Sequence, residues 1–236
     1  MPEIRGVAFD LEGTVIDVEF AHFEASRLAA EEVGVHFDPN NLLPDIVSKI
    51  PNAIGGGNTV NSRGIWELSD GKSTVEEIGR RKFFFYNQII EGLATIEPRS
   101  GFLEVFEEIR RLGLKVAIAS LTPPNQAKVL FERSGVHNLF PKDCILLEDS
   151  VTKVKPDPEV YLVAAQRMGI HPSKQLVFED SPTGLRAARS AGSPAVAMPI
   201  YMFPASIEAL KKENPVAIFD DWSKIDTATL NALLNI

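Results

Sequence analysis

The 236-residue sequence predicts an α/β fold in which a doubly wound parallel-sheet core carries an inserted α-helical domain. From about residue 100 onward, short apolar runs alternate with stretches of helical spacing. The apolar runs are nearly continuous, as in strands that are buried on both faces of a parallel sheet. The stretch from residue 18 to about 96 breaks this rhythm and has no convincing strand. We therefore expect a core of residues 1–17 and 97–236 and a helical cap domain of residues 18–96.

The core elements follow in order along the chain. The first strand is expected in the apolar run that ends at Asp10, and the others at residues 114–120, 144–149, 175–180, 194–199 and 217–222. Helices are expected between the strands, at residues 101–113, 123–135, 156–169, 181–192 and 227–236. In the insertion, residues 20–34 and 73–93 have helical spacing, and the glycine-rich stretch 54–64 is expected to be a loop.

Composition and charge argue against several classes of protein. A net charge of -8 and a pI near 5.1 argue against a nucleic-acid-binding surface. The single cysteine, Cys144, excludes an intrachain disulfide and fits a reducing compartment, and we expect a buried thiol. The first ten residues have too few apolar side chains for us to expect a secretory signal there, and no stretch reaches the ~18 consecutive apolar residues of a membrane span. We expect a cytoplasmic protein, a monomer or weak homodimer, with no nucleic-acid or membrane partner.

Polar side chains close three of the expected strands: Asp10, Ser120 and the pair Glu179–Asp180. In open parallel sheets, ligands bind beyond the carboxyl ends of the strands. An acidic pair after an apolar strand is costly to bury unless a cation neutralises it, and carboxylate oxygens suit Mg²⁺. Lys155 stands before two closely spaced prolines that stiffen the entry into the next helix, where it could neutralise a phosphoryl group. These residues predict a magnesium-dependent site at this edge.

Four stretches carry a resemblance to a known family. DLEGTVID, AIASLT, VKPDP and FEDSPTGLRAARSAG resemble, in this order, the four motifs of the haloacid dehalogenase (HAD) superfamily. They are most similar to its β-phosphoglucomutase-like phosphatase subgroup. The resemblance implies a Rossmann-like core, a small α-helical cap in the insertion, and Mg²⁺-dependent chemistry on a phosphorylated substrate.

The resemblance also implies roles for the acidic residues. Asp10 would be the nucleophile that forms an aspartyl-phosphate. The Mg²⁺ ligands would be Asp10, the backbone carbonyl of Glu12, and Asp180, with Glu179 close in support. Glu12 would be the acid/base that protonates the leaving alkoxide and then activates water. The subgroup usually has aspartate at this position. The longer Glu12 side chain leaves the backbone contact possible but changes the geometry of proton transfer.

Other residues would bind the substrate. By the same resemblance, Ser120, Leu121 and Lys155 would hold the transferring phosphoryl group and offset its charge. In the cap, His22 stands where β-phosphoglucomutase has a histidine that faces its site. Arg63, in the segment NSRG, is a candidate for a distal group of the substrate.

Four functions remain open from the sequence. The first is a Mg²⁺-dependent phosphatase acting on a small phosphorylated metabolite such as a sugar phosphate. The second is a phosphomutase of the β-phosphoglucomutase type, which needs the same residues. A dehalogenase would use the aspartate without Mg²⁺, and the pair Glu179–Asp180 speaks against it. A catalytically impaired binding or regulatory protein on the same fold is supported only by Glu12.

Overall fold

A computed structural model of the chain describes residues 3–51, 53–55 and 57–235. The chain divides into two compact units. The first, the core unit, comprises the residues up to Asp17 together with those from Thr95 onward. The second, the cap unit, is Val18–Ala94.

The core unit contains a six-stranded parallel sheet with the strand order β3-β2-β1-β4-β5-β6. The strands are β1 Gly6–Phe9, β2 Lys115–Ala119, β3 Ile145–Leu146, β4 Gln175–Glu179, β5 Ala195–Ala197 and β6 Ala217–Ile218. The order reverses next to β1, whose neighbours are β2 and β4. The predicted α/β fold with a doubly wound parallel core is confirmed.

The cap unit is helical throughout its regular structure. Its helices are α1 Glu19–Glu31, α2 Leu42–Lys49, α3 Gly57–Leu68 and α4 Val75–Gly92. The expected loop at residues 54–64 is wrong from Gly57 onward, because α3 begins there, and α2 is a further helix that the sequence patterns missed.

The glycines of this region have two different roles. A Cβ atom at Gly64 would lie 2.4 Å from Ile50, and one at Gly79 would lie 3.2 Å from Asn58. Gly64, on α3, therefore allows a close approach to the residue that follows α2, and Gly79, on α4, allows a close approach to α3. Gly55 and Gly57 have φ 71° and 66°, so the chain does turn before α3 continues as a helix. Gly56, within the expected loop, lies outside the described residues.

Helices flank the strands of the core unit. They are α5 Phe102–Arg111, α6 Pro124–Ser134, α7 Glu159–Met168, α8 Pro182–Ala191, α9 Pro204–Lys211 and α10 Thr227–Leu234. The sequence patterns missed α9. The strands expected at residues 144–149 and 217–222 keep only two paired residues each, Ile145–Leu146 and Ala217–Ile218.

An aromatic cluster packs around Phe9, the last residue of the central strand β1. The Phe9 ring has five aromatic neighbours whose centroids lie within 6.0 Å of its own: Phe102, Phe106, Phe140, Phe178 and Trp222. The Trp222 indole N–H also donates to the Thr14 carbonyl at 3.0 Å. The cluster therefore anchors the loop that follows β1 as well as the sheet.

Cys144 lies directly before β3 and is 6% exposed. Burial raises the pKa of its thiol, so the thiolate is disfavoured. This agrees with the expected structural role. Among the residues that the structure describes, none of the helices is both long and apolar enough to cross a bilayer.

Candidate active site

The loop after β1 brings Asp10 to the carboxyl edge of the sheet. The Asp10 backbone N–H donates to the Phe178 carbonyl at 3.0 Å, which continues the pairing of β1 with β4 for one residue. Gly13 has φ 79°, and a Cβ atom there would lie 2.5 Å from Asp180 Oδ2. Only glycine fits this backbone conformation and this close approach. The tight turn therefore places the loop directly against Asp180.

Lys155 joins two of the acidic residues. Its Nζ donates to Asp10 Oδ1 at 2.6 Å and to Glu179 Oε1 at 3.0 Å, and its side chain is 7% exposed. Burial opposes the charge on Lys155, but the attraction of Asp10 and Glu179 outweighs it and holds the pKa of the amine well above its ordinary value. Lys155 is therefore a fixed, buried cation in contact with the candidate nucleophile.

The negative charge at this edge exceeds the positive charge of Lys155. Burial raises the pKa of Asp10 to about 7; Lys155 opposes this rise, while Glu179 and Glu12 add to it. A further cation beside Asp10 would favour its ionised form. The electrostatics of these residues therefore fit a bound metal ion.

Glu179 is held in place by its neighbours. Besides the bond from Lys155, its carboxylate accepts hydrogen bonds from the Asp180 backbone N–H at 3.0 Å and from Ser181 Oγ at 3.1 Å. A Cβ atom at Gly184 would lie 1.5 Å from Glu179 Oε1, so only glycine fits at this position in the first turn of α8. Glu179 thus fixes both Lys155 and the start of the segment that carries Asp180.

Three carboxylates come together at this edge. One oxygen each from Asp10, Glu179 and Asp180 lie within 4.8 Å of one another. Oxygen donors of this kind suit a hard divalent cation such as Mg²⁺. The three carboxylate oxygens and the excess of negative charge both fit the Mg²⁺ ion that the sequence predicts.

The segment after β2 adds two hydroxyls. Ser120 and Thr122 are 2% and 5% exposed, and their oxygens are 2.8 Å apart. Thr122 Oγ1 donates to Glu12 Oε1 at 2.5 Å. Leu121 follows β2 between them and is half-buried. The structure therefore connects the expected phosphate-binding segment with the expected acid/base.

A model of the haloacid dehalogenase-like hydrolase family matches residues 4–192. The chain belongs to this family. It is 30% identical over 189 residues to the phosphorylated carbohydrates phosphatase of Thermotoga maritima, a match that covers 80% of this chain and 82% of the relative. It is 26% identical over 196 residues to the β-phosphoglucomutase of Bacillus subtilis, covering 82% of each.

Solved structures show the same fold. The crystal structure of a HAD hydrolase of family IA, variant 3, from Entamoeba histolytica matches with a TM-score of 0.78 and 19% identity, over 99% of this chain and 100% of that one. The match to the family model and the phosphatase relative confirm the resemblance of the motifs to the HAD superfamily and the expectation of a HAD-like hydrolase.

The two candidates in the cap unit of this HAD-like hydrolase lie on different helices. His22, on α1, stacks on Tyr86 of α4 with ring centroids 4.1 Å apart and planes at 8°. Arg63 is exposed on α3. The contacts within the cap unit therefore give His22 a packing role there, and substrate binding by His22 and Arg63 stays a prediction.

Sequence reasoning missed Arg99 of this hydrolase. Its guanidinium donates to four backbone carbonyls: those of Gly13 and Met198 at 2.6 Å, Asp220 at 2.7 Å and Pro199 at 3.3 Å. Arg99 thereby ties the loop after β1 to the segments that follow β5 and β6. Burial lowers the pKa of the guanidinium, and the acidic side chains nearby, Asp180 foremost, oppose this. No motif in the sequence marks this residue.

Proposed function

We propose that this hydrolase is a Mg²⁺-dependent phosphatase that acts on a small phosphorylated carbohydrate through an aspartyl-phosphate on Asp10. The observation that carries the proposal is the buried Lys155, which contacts Asp10 and Glu179 at the carboxyl edge of the sheet. Such a cation suits a site that transfers an anionic phosphoryl group to a carboxylate. The name of the Thermotoga maritima relative supports phosphorylated carbohydrates as the substrate class.

Three residues would bind the metal ion, and a fourth would support them. Asp10, the backbone carbonyl of Glu12, and Asp180 would be its ligands, and Glu179 would support them. When bound, Mg²⁺ supplies positive charge that offsets these carboxylates and the substrate phosphate. The oxygens of Asp10, Glu179 and Asp180 that lie within 4.8 Å of one another support this assignment.

The residues of the chain carry the reaction in two steps. In the first, an Asp10 oxygen forms a bond to phosphorus while the bond from phosphorus to the leaving alkoxide breaks, and Glu12 gives that alkoxide a proton. In the second, Glu12 takes a proton from water as the water oxygen attacks phosphorus, which releases phosphate and the Asp10 carboxylate. Ser120, the Leu121 backbone N–H and Lys155 bind the phosphoryl oxygens in both steps.

A screen of phosphorylated metabolites, with Mg²⁺ and with a chelator, tests the proposed activity. We expect Mg²⁺-dependent release of phosphate from one or more phosphorylated carbohydrates. Release that is as fast in the chelator contradicts the metal requirement. A complete lack of hydrolysis across the screen favours a binding or regulatory protein instead.

Removing the charge of Asp180 should weaken Mg²⁺ binding. For Asp180→Asn, we expect the Kd for Mg²⁺ to rise by at least about 10-fold, because even groups that only support metal ligands are worth that much. Isothermal titration calorimetry without substrate measures this directly. Asp149→Asn, at an exposed acid of the segment LLEDS, is the matched control and should leave the Kd unchanged. An unchanged Kd for Asp180→Asn would count against the metal site.

A phosphomutase is the second candidate, favoured by the match to the Bacillus subtilis β-phosphoglucomutase. A mutase returns a phosphoryl group to a sugar instead of to water, so it needs a sugar bisphosphate to start turnover. Sugar monophosphates should therefore be converted to isomers only after a bisphosphate is added. Phosphate release from a monophosphate alone, without isomer formation, favours the phosphatase.

A further inference from the structure

The Glu12 carboxylate has a specific hydrogen-bond donor in the segment after β2. Glu12 Oε1 accepts a hydrogen bond from Thr122 Oγ1 at 2.5 Å, between residues 110 positions apart in the chain. This distance lies at the short end of the range for a hydroxyl that donates to an oxygen. Thr122 is 5% exposed, so little water competes for the bond.

Thr122 is itself held rigidly. Its backbone N–H donates to Ser120 Oγ at 3.2 Å, and its carbonyl accepts from the Glu148 N–H at 3.3 Å. Pro123 follows it, which restricts the Thr122 backbone to extended conformations. The backbone that carries the Thr122 hydroxyl is therefore constrained through both its N–H and its carbonyl.

The number of hydroxyl protons decides which atom is the donor in each hydrogen bond between Ser120, Thr122 and Glu12. A hydroxyl donates one proton. Thr122 donates its proton to Glu12 Oε1. Of the two oxygens that lie 2.8 Å apart, Ser120 Oγ is then the donor and Thr122 Oγ1 the acceptor. A single chain of hydrogen bonds thus runs from Ser120 through Thr122 to Glu12.

We propose that Thr122 is a positioning residue that holds the Glu12 carboxylate where it exchanges protons with the leaving group and with water. The inference rests on the proposed function of Glu12 as acid/base. The hydroxyl gives the longer, more mobile glutamate one fixed orientation. Proton transfer depends steeply on such placement, and an error of about 1 Å can cost about 100-fold in rate.

Two kinds of substrate separate this role from a general structural one. An alkyl phosphate, such as a sugar phosphate, needs a proton on its leaving oxygen, whereas an aryl phosphate with a nitrophenolate leaving group does not. Because kcat/KM reports the steps up to the first irreversible one, it isolates the step in which Glu12 gives its proton. A residue that positions Glu12 therefore affects kcat/KM for the alkyl phosphate selectively.

For Thr122→Val, which keeps the shape but loses the hydroxyl, we expect kcat/KM for the alkyl phosphate to fall about 10- to 100-fold. The value for the aryl phosphate should fall much less. Thr122→Ser keeps a hydroxyl and should recover most of the loss. Thr152→Val is the matched control, since the Thr152 hydroxyl donates to Glu159 on an exposed surface at 2.9 Å, and it should change neither value.

Two results would overturn the role of Thr122. One is an equal loss on both substrates in Thr122→Val, which would make Thr122 a structural support of the whole site. The other is no loss on either substrate. Failure of the proposed function gives a different result, because Asp10→Asn would then hydrolyse both phosphates at the parent rate.

Discussion

Replacement of Asp10 by asparagine is expected to lower kcat for phosphate release by at least about 10⁴-fold, the scale seen when a catalytic nucleophile is removed. The amide has nearly the shape of the carboxylate and still offers an oxygen to Lys155, but it is a far poorer nucleophile. Steady-state assays on the best metabolite of the screen measure the loss. Asp149→Asn, at an exposed acid, should retain the full rate.

The same substitution separates catalysis from folding. Burial raises the pKa of Asp10 to about 7, so the ionised carboxylate is disfavoured in the metal-free protein. Asparagine carries no charge, and we expect the free energy of unfolding of metal-free Asp10→Asn to be no lower than that of the parent. A folded variant that still turns over at the parent rate would exclude Asp10 as the nucleophile.

Replacement of Arg99 by methionine is expected to lower the free energy of unfolding by about 3–5 kcal/mol, the scale of breaking a buried charged network. The guanidinium serves four carbonyls, and methionine leaves all four without this donor. Urea unfolding, followed by circular dichroism, measures the change.

A matched control uses a surface arginine. Arg111, on α5, pairs with Glu108 at 2.6 Å while its side chain is 69% exposed. Because exposed pairs contribute little, Arg111→Met should change the free energy of unfolding by less than about 1 kcal/mol. If Arg99→Met were no more destabilising than Arg111→Met, the guanidinium would not be what holds the loop after β1.

Local sequence patterns were sufficient to predict the fold class and to identify the polar residues at the strand ends. Asp10, Ser120 and Glu179 stand directly at the ends of apolar runs, so the rule for parallel sheets places them at one edge. Lys155 comes from a loop, and its motif marked it. The structure brings Lys155 into contact with Asp10 and Glu179.

Long-range contacts lay outside the reach of the sequence patterns. Arg99 bonds to carbonyls up to 121 positions away, and backbone carbonyls leave no trace in a sequence. Thr122 meets Glu12 across 110 positions. Helix α3 was missed for another reason: glycines such as Gly64, which here allows a close approach to Ile50, resemble loop residues by composition.

Covalent phosphorylation of Asp10 is the most direct measurement. Glu12→Gln should form the aspartyl-phosphate from an aryl phosphate, whose leaving group needs no proton, but hydrolyse it slowly. After acid quenching, mass spectrometry should then find one phosphoryl group on the peptide that contains Asp10, removable by hydroxylamine and absent from Asp10→Asn. Phosphate release by Glu12→Gln at the parent rate, with that peptide unmodified throughout turnover, would contradict a phosphatase that works through Asp10.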